Sequence, residues 1–472
     1  MSASDPADLS DESGIKDEKD STELTLPSNI WNSITHSADL WGQFKYLTKL
    51  DLNNNGLITL PSCLEALPSL EILFLSENNF DAIPELGNMR KLRMLSLRGN
   101  RLTELSTSNL PSQTLIWLIL TNNRICNIDP NIRELKLVRK LMLSHNKLRS
   151  IPKEMGECKN LELIRLANNE IDAPLPIEFL TLQKLAWISL AGNPIARCPQ
   201  STEKVISKSN ISFDESTILG RGASGTVYLG KYQDKDVAVK IFKQESTGSD
   251  GTAADEAAIN GLIDHPLVVS AHGVFLSDEG KSPEGMVMEL LEGADALGKV
   301  PSFSTVTRDS GPSDSAKDMS RVEVLSTVWN VATALEHVHS TAKVANGDIY
   351  LHNILKCRDG MAKVSDWGAS FVYDGIVDSS AQTFESIEVL AFGRLVQDLF
   401  DWHLDTALPD STEPADFLGR SRGKPLQAGL FYDLMSSILQ PLQTERPSFS
   451  DIKAVLSSIP EFQAVRNFRS ID

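Results

Sequence analysis

Apolar residues recur at a fixed spacing along the first two fifths of the chain. The pattern apolar-x-x-apolar-x-apolar-x-x-Asn occurs seven times between residues 47 and 193. The seven copies end at asparagines 55, 78, 100, 123, 146, 169 and 193, which are 22 to 24 residues apart. Such a unit predicts one short strand and then a bend, where the Asn amide satisfies backbone groups. Because one copy cannot bury its own apolar face, the period predicts a stacked solenoid.

This repeat resembles the leucine-rich-repeat family, and the resemblance implies an α/β repeat solenoid. In such a stack the outward positions of each strand flank its central aliphatic residue. Here these positions include an apolar strip of Phe74, Trp117, Ile119 and Trp187, joined by Ile72. An exposed apolar patch rimmed by charge usually marks a contact surface. We therefore expect this strip, on the concave face of the solenoid, to contact a protein partner, a substrate or another domain of this chain. The alternative is that the strip is surface that binds nothing.

The hydrophobic pattern changes after about residue 212. Segments 218–232 and 236–242 alternate apolar residues as strands do, and Gly220, Gly222 and Gly225 form a G-x-G-x-x-G turn within the first segment. The same glycine pattern opens dinucleotide-binding folds, but there a helix follows the glycines. Here β-type residues follow, which favours a hairpin. Further on, segment 301–320 is rich in Ser, Pro and Asp and predicts a surface loop, and an amphipathic helix is predicted after it.

The hairpin and the segment Val237-Ala238-Val239-Lys240 resemble the glycine-rich loop and V-A-I-K strand of protein kinases. The resemblance implies a bilobal α+β kinase-like domain that binds ATP. It places Lys240 on the phosphates, held by an ion pair with Glu256, which lies 16 residues later. The implied nucleotide site comprises Gly220, Gly222, Gly225, Val227, Ala238, Lys240, Glu289 and Leu291, with Met288 as gatekeeper.

Two further motifs carry the chemistry that the resemblance implies. Residues 346–353 (NGDIYLHN) are similar to the kinase catalytic loop H-R-D-L-x-x-x-N, and Asp366-Trp367-Gly368 stands at the D-F-G place. By resemblance, Asp348 accepts the proton of the substrate hydroxyl, and Asn353 and Asp366 hold Mg²⁺. Later in the chain, Glu388 begins a segment like helix F, and Arg446 resembles a late family arginine.

The catalytic loop also departs from the family pattern. Asn346 and Gly347 replace the His-Arg pair, and Tyr350 stands where serine/threonine kinases carry a lysine. His352 stands where many tyrosine kinases carry an arginine, and no A-P-E motif follows. A branch of microbial leucine-rich-repeat kinases shares this Gly-Asp loop, as do small-molecule kinases of the aminoglycoside and choline type.

Three functions remain open at this stage. Because Lys240, Glu256, Asp348, Asn353 and Asp366 are all present, we favour an active, ATP-dependent protein kinase, of serine/threonine type by family default. The alternatives are a nucleotide-binding pseudokinase scaffold and a small-molecule kinase. The leucine-rich repeats would then recognise a partner or substrate.

Composition restricts the expected partners and the expected cellular compartment. The 472 residues carry a formal net charge of −18, which disfavours nucleic acid and anionic lipid as partners. No apolar run reaches the roughly 18 residues of a membrane span, the acidic start is unlike a signal peptide, and the five cysteines lack metal spacing. We therefore expect a cytoplasmic protein.

The predicted organisation has four parts. Residues 1–25 form a disordered acidic tail, because they offer little apolar surface to bury. Residues 26–198 form the seven-repeat domain with its caps, 199–212 a linker, and 213–465 the kinase-like domain.

Overall fold

The computed structural model describes residues 22–25, 44–60, 64, 67–196, 204–222, 224–243, 250–277, 282–374, 376, 381–404 and 428–467. Residues 1–21 of the predicted tail and 199–203 of the predicted linker lie outside the described residues. The chain forms two compact units. The first runs to Ile164 and resumes at Asn169–Leu182, and the second comprises Arg165–Asn168 and the chain from Gln183 onward.

The first unit is built from short parallel strands at the spacing of the repeats. Its strands are β1 (Glu23–Thr25), β2 (Lys49–Asp51), β3 (Ile72–Phe74), β4 (Met94–Ser96), β5 (Glu104–Leu105), β6 (Trp117–Ile119), β7 (Asn127–Ile128), β8 (Lys140–Met142) and β9 (Leu163–Arg165). Leu50, Leu73, Leu95, Leu118 and Leu141 stand opposite one another in register, and all five are fully buried. Each buried leucine contributes about 1.5–3 kcal/mol of transfer free energy. The predicted solenoid is confirmed.

Buried asparagines hold the bend after each repeat strand. Asn146 Nδ2 donates to the carbonyl oxygens of Leu143, in its own repeat, and Leu120, in the preceding one, both at 3.0 Å. Its Oδ1 accepts from the Ile125 N–H at 2.9 Å. Asn78, Asn100 and Asn123 donate to the same pair of positions in their repeats. We call this series the asparagine ladder, and it satisfies backbone groups that no strand pairing reaches.

The acidic tail is shorter than predicted. Glu23–Thr25 pairs in parallel with Lys49–Asp51, and Leu24 is buried opposite Leu50. Lys49 Nζ also lies 2.7 Å from Glu23 Oε2. The expectation of disorder up to residue 25 is therefore wrong for these three residues, because a single buried leucine and a strand partner suffice to order them.

The second unit begins with one more strand of the repeat pattern and then changes architecture. Its elements are β10 (Trp187–Ser189), β11 (Ile211–Arg221), β12 (Gly225–Tyr232), β13 (Lys235–Phe242), α2 (Ala253–Leu262), β14 (Ala271–Leu276), β15 (Pro283–Glu289), β16 (Asp295–Ala296), β17 (Gly298–Lys299), β18 (Gly311–Pro312), α3 (Arg321–His337), β19 (Val344–Ala345), β20 (Ile354–Lys356), β21 (Ala362–Val364), β22 (Phe371–Val372), α4 (Ala381–His403), α5 (Ala428–Ile438), α6 (Phe449–Ser458) and α7 (Pro460–Asn467); the short helix α1 (Ile177–Leu180) belongs to the first unit.

A five-stranded sheet is followed by a mostly helical region in this unit. The antiparallel strands lie in the order β11-β12-β13-β15-β14 over a core that includes Val239, Phe275 and Val287. Helix α3 begins at a capping box of Ser320 and Glu323. A strand-rich part followed by a helical part confirms the predicted α+β class. Among the described helices, none combines the length and apolarity required to cross a bilayer.

Segment 301–320 is not the simple surface loop that its composition predicts. Thr307 and Asp309 are buried, and Gly311–Pro312 pairs with Gly298–Lys299. Asp309 is buried because it accepts hydrogen bonds from the catalytic loop, as described below.

Candidate active site

The glycine-rich turn forms the predicted hairpin between β11 and β12. Gly222 N–H donates to the Gly225 carbonyl at 2.9 Å, and Val227 stands opposite Lys240 in β13. A Cβ on Gly225 would lie 2.4 Å from the Ile241 carbonyl oxygen, so packing against β13 requires a glycine there. A Cβ on Gly220 would meet no atom within 4 Å, so packing within the chain does not require a glycine at this position. The absence of a side chain there leaves the backbone open to a ligand.

Lys240 and Glu256 meet beneath this hairpin. Lys240 Nζ donates to Glu256 Oε1, and both side chains are more than nine-tenths buried. Burial lowers the pKa of Lys240, but Glu256 and then Asp366 outweigh it, so the pKa is raised and the ammonium stays charged. Gly368 lies close to this pair, since a Cβ on it would be 3.5 Å from Glu256 Oε2.

The connector after β15 places the predicted adenine-binding residues. Ala238 stands opposite Met288 in the β13–β15 pair. The Glu289 carboxylate is directed to Lys363, with its two oxygens 2.8 and 2.7 Å from Nζ, and its backbone N–H donates to the Ser270 carbonyl. The Glu289 side chain is therefore structural. Leu291 follows the strand, in the connecting segment.

The catalytic loop is anchored by side chains from other elements. Gly347 N–H donates to Glu388 Oε1 of α4 at 2.5 Å, and the other Glu388 oxygen lies 2.8 Å from His339 Nε2. Asn353 Nδ2 donates to Asp348 at its carbonyl oxygen, 2.9 Å, and at Oδ2, 2.8 Å. These bonds fix the direction of the Asp348 carboxylate.

His352 has a partner that sequence reasoning missed. Asp309 Oδ1 lies 2.5 Å from His352 Nδ1, and Asp309 Oδ2 accepts from the Leu351 N–H at 2.7 Å. Burial lowers the pKa of His352, but the hydrogen bond and charge of Asp309, with Asp348 and Asp366 beyond it, raise the pKa overall. An aspartate 43 residues before its partner, in a segment of ordinary loop composition, carries no local signal.

Asp366 lies beside the same loop. Asn346 Nδ2 donates to its carbonyl at 3.2 Å, and the next residue back, Ser365, donates through N–H and hydroxyl to the Asn353 carbonyl. Asp366 has a φ of +57°, an uncommon conformation for a residue with a side chain, and its Oδ1 accepts from Gly368 N–H at 3.1 Å. Lys240, Glu256, Asp348, Asn353 and Asp366 thus lie together at one site of the second unit.

Three side chains of the second unit that belong to the repeat pattern also contact the catalytic loop or the segment after Asp366, and sequence reasoning missed the roles of Arg165 and Ser189. Arg165 Nη1 donates to the Gly347 carbonyl at 2.6 Å, and Nη2 donates to Asp348 Oδ1. Trp187 Nε1 donates to the Ile349 carbonyl at 3.0 Å. The Ser189 hydroxyl donates to the Ala369 carbonyl at 2.6 Å.

Trp187 therefore does not belong to an exposed strip. Its ring stacks face to face on Tyr350, with centroids 4.8 Å apart and 3° between the planes, and the residue is only 3% exposed. For Trp187 the structure agrees with the expected contact to another part of this chain and not with the expected binding of a separate protein, because Tyr350 covers its ring. Phe74, Trp117 and Ile119 are half-buried in the first unit, where Lys140 Nζ lies 4.1 Å from the Trp117 ring.

Arg446 is buried but binds no carboxylate among the described residues. Its guanidinium donates to the carbonyls of Gln440, Ser386 and Gln183 at 2.8–3.0 Å. Burial, with Arg394 nearby, lowers the pKa of Arg446 to about 10. The residue ties two backbone segments of the helical region to the segment just before β10.

The oxygen atoms of Asn353 and Asp366 suit a hard divalent cation. Asn353 donates its amide hydrogens to Asp348, which leaves its Oδ1 as the ligand atom, and Asp366 supplies a carboxylate. The described residues contain no group of three or more His, Cys, Asp or Glu able to hold a metal by themselves. An amide oxygen and a carboxylate fit an ion that takes its remaining ligands from phosphate and water.

Comparison with known proteins agrees with both halves of the chain. The family model described as protein kinase domain matches residues 213–386, and the leucine rich repeat model matches 45–102, 113–171 and 136–195. Wall-associated receptor kinase-like 21 of Arabidopsis thaliana is 28% identical over 38% of this chain and 27% of its own length. A probable LIM domain-containing serine/threonine-protein kinase of Dictyostelium discoideum is 28% identical over 43% and 30%. Serine/threonine-protein kinase TNNI3K of Mus musculus is 28% identical over 34% and 18%.

The chain thus contains leucine-rich repeats and a protein kinase domain. The matches span less than a third of the length of each of these curated relatives. The matches establish which kinds of domain the chain contains and do not establish the activity of the whole chain.

Proposed function

We propose that this chain is an ATP-dependent protein kinase that phosphorylates serine or threonine hydroxyls and uses its leucine-rich repeats to recognise a protein. One observation carries the proposal. The Lys240–Glu256 ion pair, the Asp348–Asn353 hydrogen bonds and Asp366 are assembled at one site. Two of the related proteins cited above are named as serine/threonine kinases, which supports this choice of acceptor.

The residues divide the chemistry as follows. Lys240 binds the α- and β-phosphates, and the open backbone at Gly220 and Gly222 covers them. Asp348 orients the acceptor hydroxyl and takes its proton, while the hydroxyl oxygen bonds to the γ-phosphorus. The bond from that phosphorus to the β–γ bridging oxygen breaks, and ADP leaves. Asn353 and Asp366 would hold Mg²⁺, which neutralises charge on the phosphates when bound.

Labelled ATP with divalent metal and mixed protein acceptors tests the proposal in the full chain. We expect transfer to serine or threonine, and Asp348→Asn should reduce it by about 100-fold or more, as loss of a general base does. Asp295→Asn, an exposed carboxylate of the same unit, is the matched control and should retain parental transfer.

Each other result assigns a different function. Equal transfer by the parent and Asp348→Asn removes Asp348 from the mechanism. Calorimetric binding of ATP without transfer to any acceptor defines a nucleotide-binding scaffold. Transfer only to small alcohols in place of protein defines a small-molecule kinase.

A further inference from the structure

The catalytic loop offers Asp348 no lysine or arginine. Tyr350 stands where a lysine is common, and the preceding residue pair is Asn346-Gly347. The charge of His352 acts on Asp348, but its ring bonds to Asp309. A buried carboxylate is costly without compensation, so a cation from outside the loop that bonds to Asp348 stabilises it.

Arg165 supplies that cation. Its side chain is 5% exposed and donates to Asp348 Oδ1 and to the Gly347 carbonyl, while Asn353 holds Asp348 Oδ2. The carboxylate is thus fixed at both oxygens. Burial raises the pKa of Asp348, but Arg165, His352 and Asn353 together outweigh it and lower the pKa overall. The two hydrogen bonds from Arg165 and Asn353 fix the direction of the carboxylate.

Two departures of the loop from the kinase pattern are explained by this arrangement. Gly347 has a φ of +75°, and a Cβ on it would lie 2.7 Å from the Ile188 carbonyl oxygen and 2.9 Å from that of Ala369. An arginine at position 347 therefore does not fit. Tyr350 uses its ring to stack on Trp187. Two of the loop residues that differ from the family, Gly347 and Tyr350, thus pack on β10.

The same guanidinium reaches a second acidic residue of the site. Arg165 Nε lies 3.8 Å from Asp250 Oδ1, just before helix α2. Burial raises the pKa of Asp250 to about 6, with Arg165 opposing and Asp348 and Asp366 adding to the rise. Arg165 thus offsets part of the mutual repulsion between Asp250 and Asp348.

We propose that Arg165 is a positioning residue for phosphoryl transfer, contributed to the kinase site by the repeat pattern in place of the catalytic-loop lysine. It acts through Asp348, whose carboxylate it orients, and does not itself bind the nucleotide. This inference rests on the proposed kinase function. It predicts that the Arg165 side chain governs turnover more than ATP affinity.

The test compares Arg165→Ala and Arg165→Lys with the parent in the full chain. We expect Arg165→Ala to lower kcat by about 100-fold, the scale of losing one preorganised donor, with KM for ATP changed less than about threefold. Arg165→Lys should retain kcat within about tenfold of the parent, because it keeps the charge but not the fork of donors. Millimolar guanidinium should restore part of the activity of Arg165→Ala.

Arg149→Ala is the matched control, because Arg149 is a repeat arginine whose side chain is 77% exposed in an ion pair with Glu170. It should keep parental kcat and melting temperature. Circular dichroism and ATP calorimetry accompany every variant, and Arg165→Lys decides the outcome if Arg165→Ala does not fold.

Several outcomes would overturn the inference. Unchanged kcat in both variants makes Arg165 purely structural, as does a folded Arg165→Ala that guanidinium does not rescue. A faster Arg165→Ala shows that the contact inhibits the kinase. Those results leave the proposed function intact, whereas a parent that transfers no phosphate defeats the proposed function and this inference with it.

Discussion

The asparagine ladder and the catalytic loop both hold a bent backbone with buried polar side chains, but they recruit partners differently. Asn146 bonds to carbonyls 3 and 26 residues away, and Asn123 repeats the same two separations. In the catalytic loop, Gly347, His352 and Asp348 have partners 41, 43 and 183 residues away, each of a different type. In the solenoid the same hydrogen bonds recur from one repeat to the next, whereas each bond of the catalytic loop occurs once.

The largest effect is expected where one side chain anchors the catalytic loop. Glu388→Ala removes the carboxylate that pairs with His339 Nε2 and accepts from the Gly347 N–H. The side chains of His339 and Glu388 are each 2% exposed. Breaking such a buried pair should lower the free energy of unfolding by about 3–5 kcal/mol. Urea unfolding followed by tryptophan fluorescence measures the loss, and phosphate transfer should fall with it.

The control for this change is Glu445→Ala, an exposed glutamate of the same unit that should stay within about 0.5 kcal/mol of the parent. A Glu388→Ala variant as stable as this control would show that the catalytic loop is held redundantly, and the contrast with the ladder would fail.

The next effect is expected in the ladder itself. Asn146→Ala leaves the Ile125 N–H without its acceptor, whereas the Leu120 and Leu143 carbonyls keep their bonds from Asn123 and Asn169. At about 1–3 kcal/mol for an unsatisfied buried group, we expect a loss of roughly 2 kcal/mol. Urea unfolding of the full chain measures it, with the exposed Asn127→Ala as control. A loss below that of the control would mean that the ladder bonds are dispensable.

The fold was accessible to sequence reasoning because its signals are local or ordered. The period of the seven asparagines predicts the strands of the solenoid, and the order of glycine hairpin, Lys240 and the 346–353 loop predicts the second architecture. Asp309 and Arg165 could not be found in this way, because each meets its partner only after the chain folds. Trp187 shows the same limit: its outward direction follows from spacing, and its burial depends on Tyr350.

A smaller effect is expected from pH at His352. Burial lowers the pKa of His352, but Asp309, Asp348 and Asp366 raise it overall. The folded chain therefore binds the imidazole proton more tightly than the unfolded chain does. The resulting stabilisation is complete below the ordinary histidine pKa of about 6.5 and is lost as pH rises through the raised value. The melting temperature of the parent should therefore exceed that of His352→Gln by most at low pH, and the difference should shrink as pH rises through the raised pKa.

The exposed His272→Gln serves as the control for the pH series and should show no such narrowing. If the gap between parent and His352→Gln instead widens as pH rises, the imidazole is neutral in the folded chain and the pairing with Asp309 does not depend on charge.

The smallest effect should come from an ion pair between neighbouring repeats of the first unit. Arg139 Nε and Nη2 each lie 2.9 Å from a Glu162 oxygen, and the two side chains are 33% and 19% exposed. A double-mutant cycle with alanine at both positions should give a coupling of about 0.5–1 kcal/mol, reduced by salt, because water still reaches the pair. A coupling well above that of a surface pair would mean that the repeats, like the catalytic loop, depend on single contacts, since leucine burial and the asparagine ladder would then not suffice to hold neighbouring copies in register.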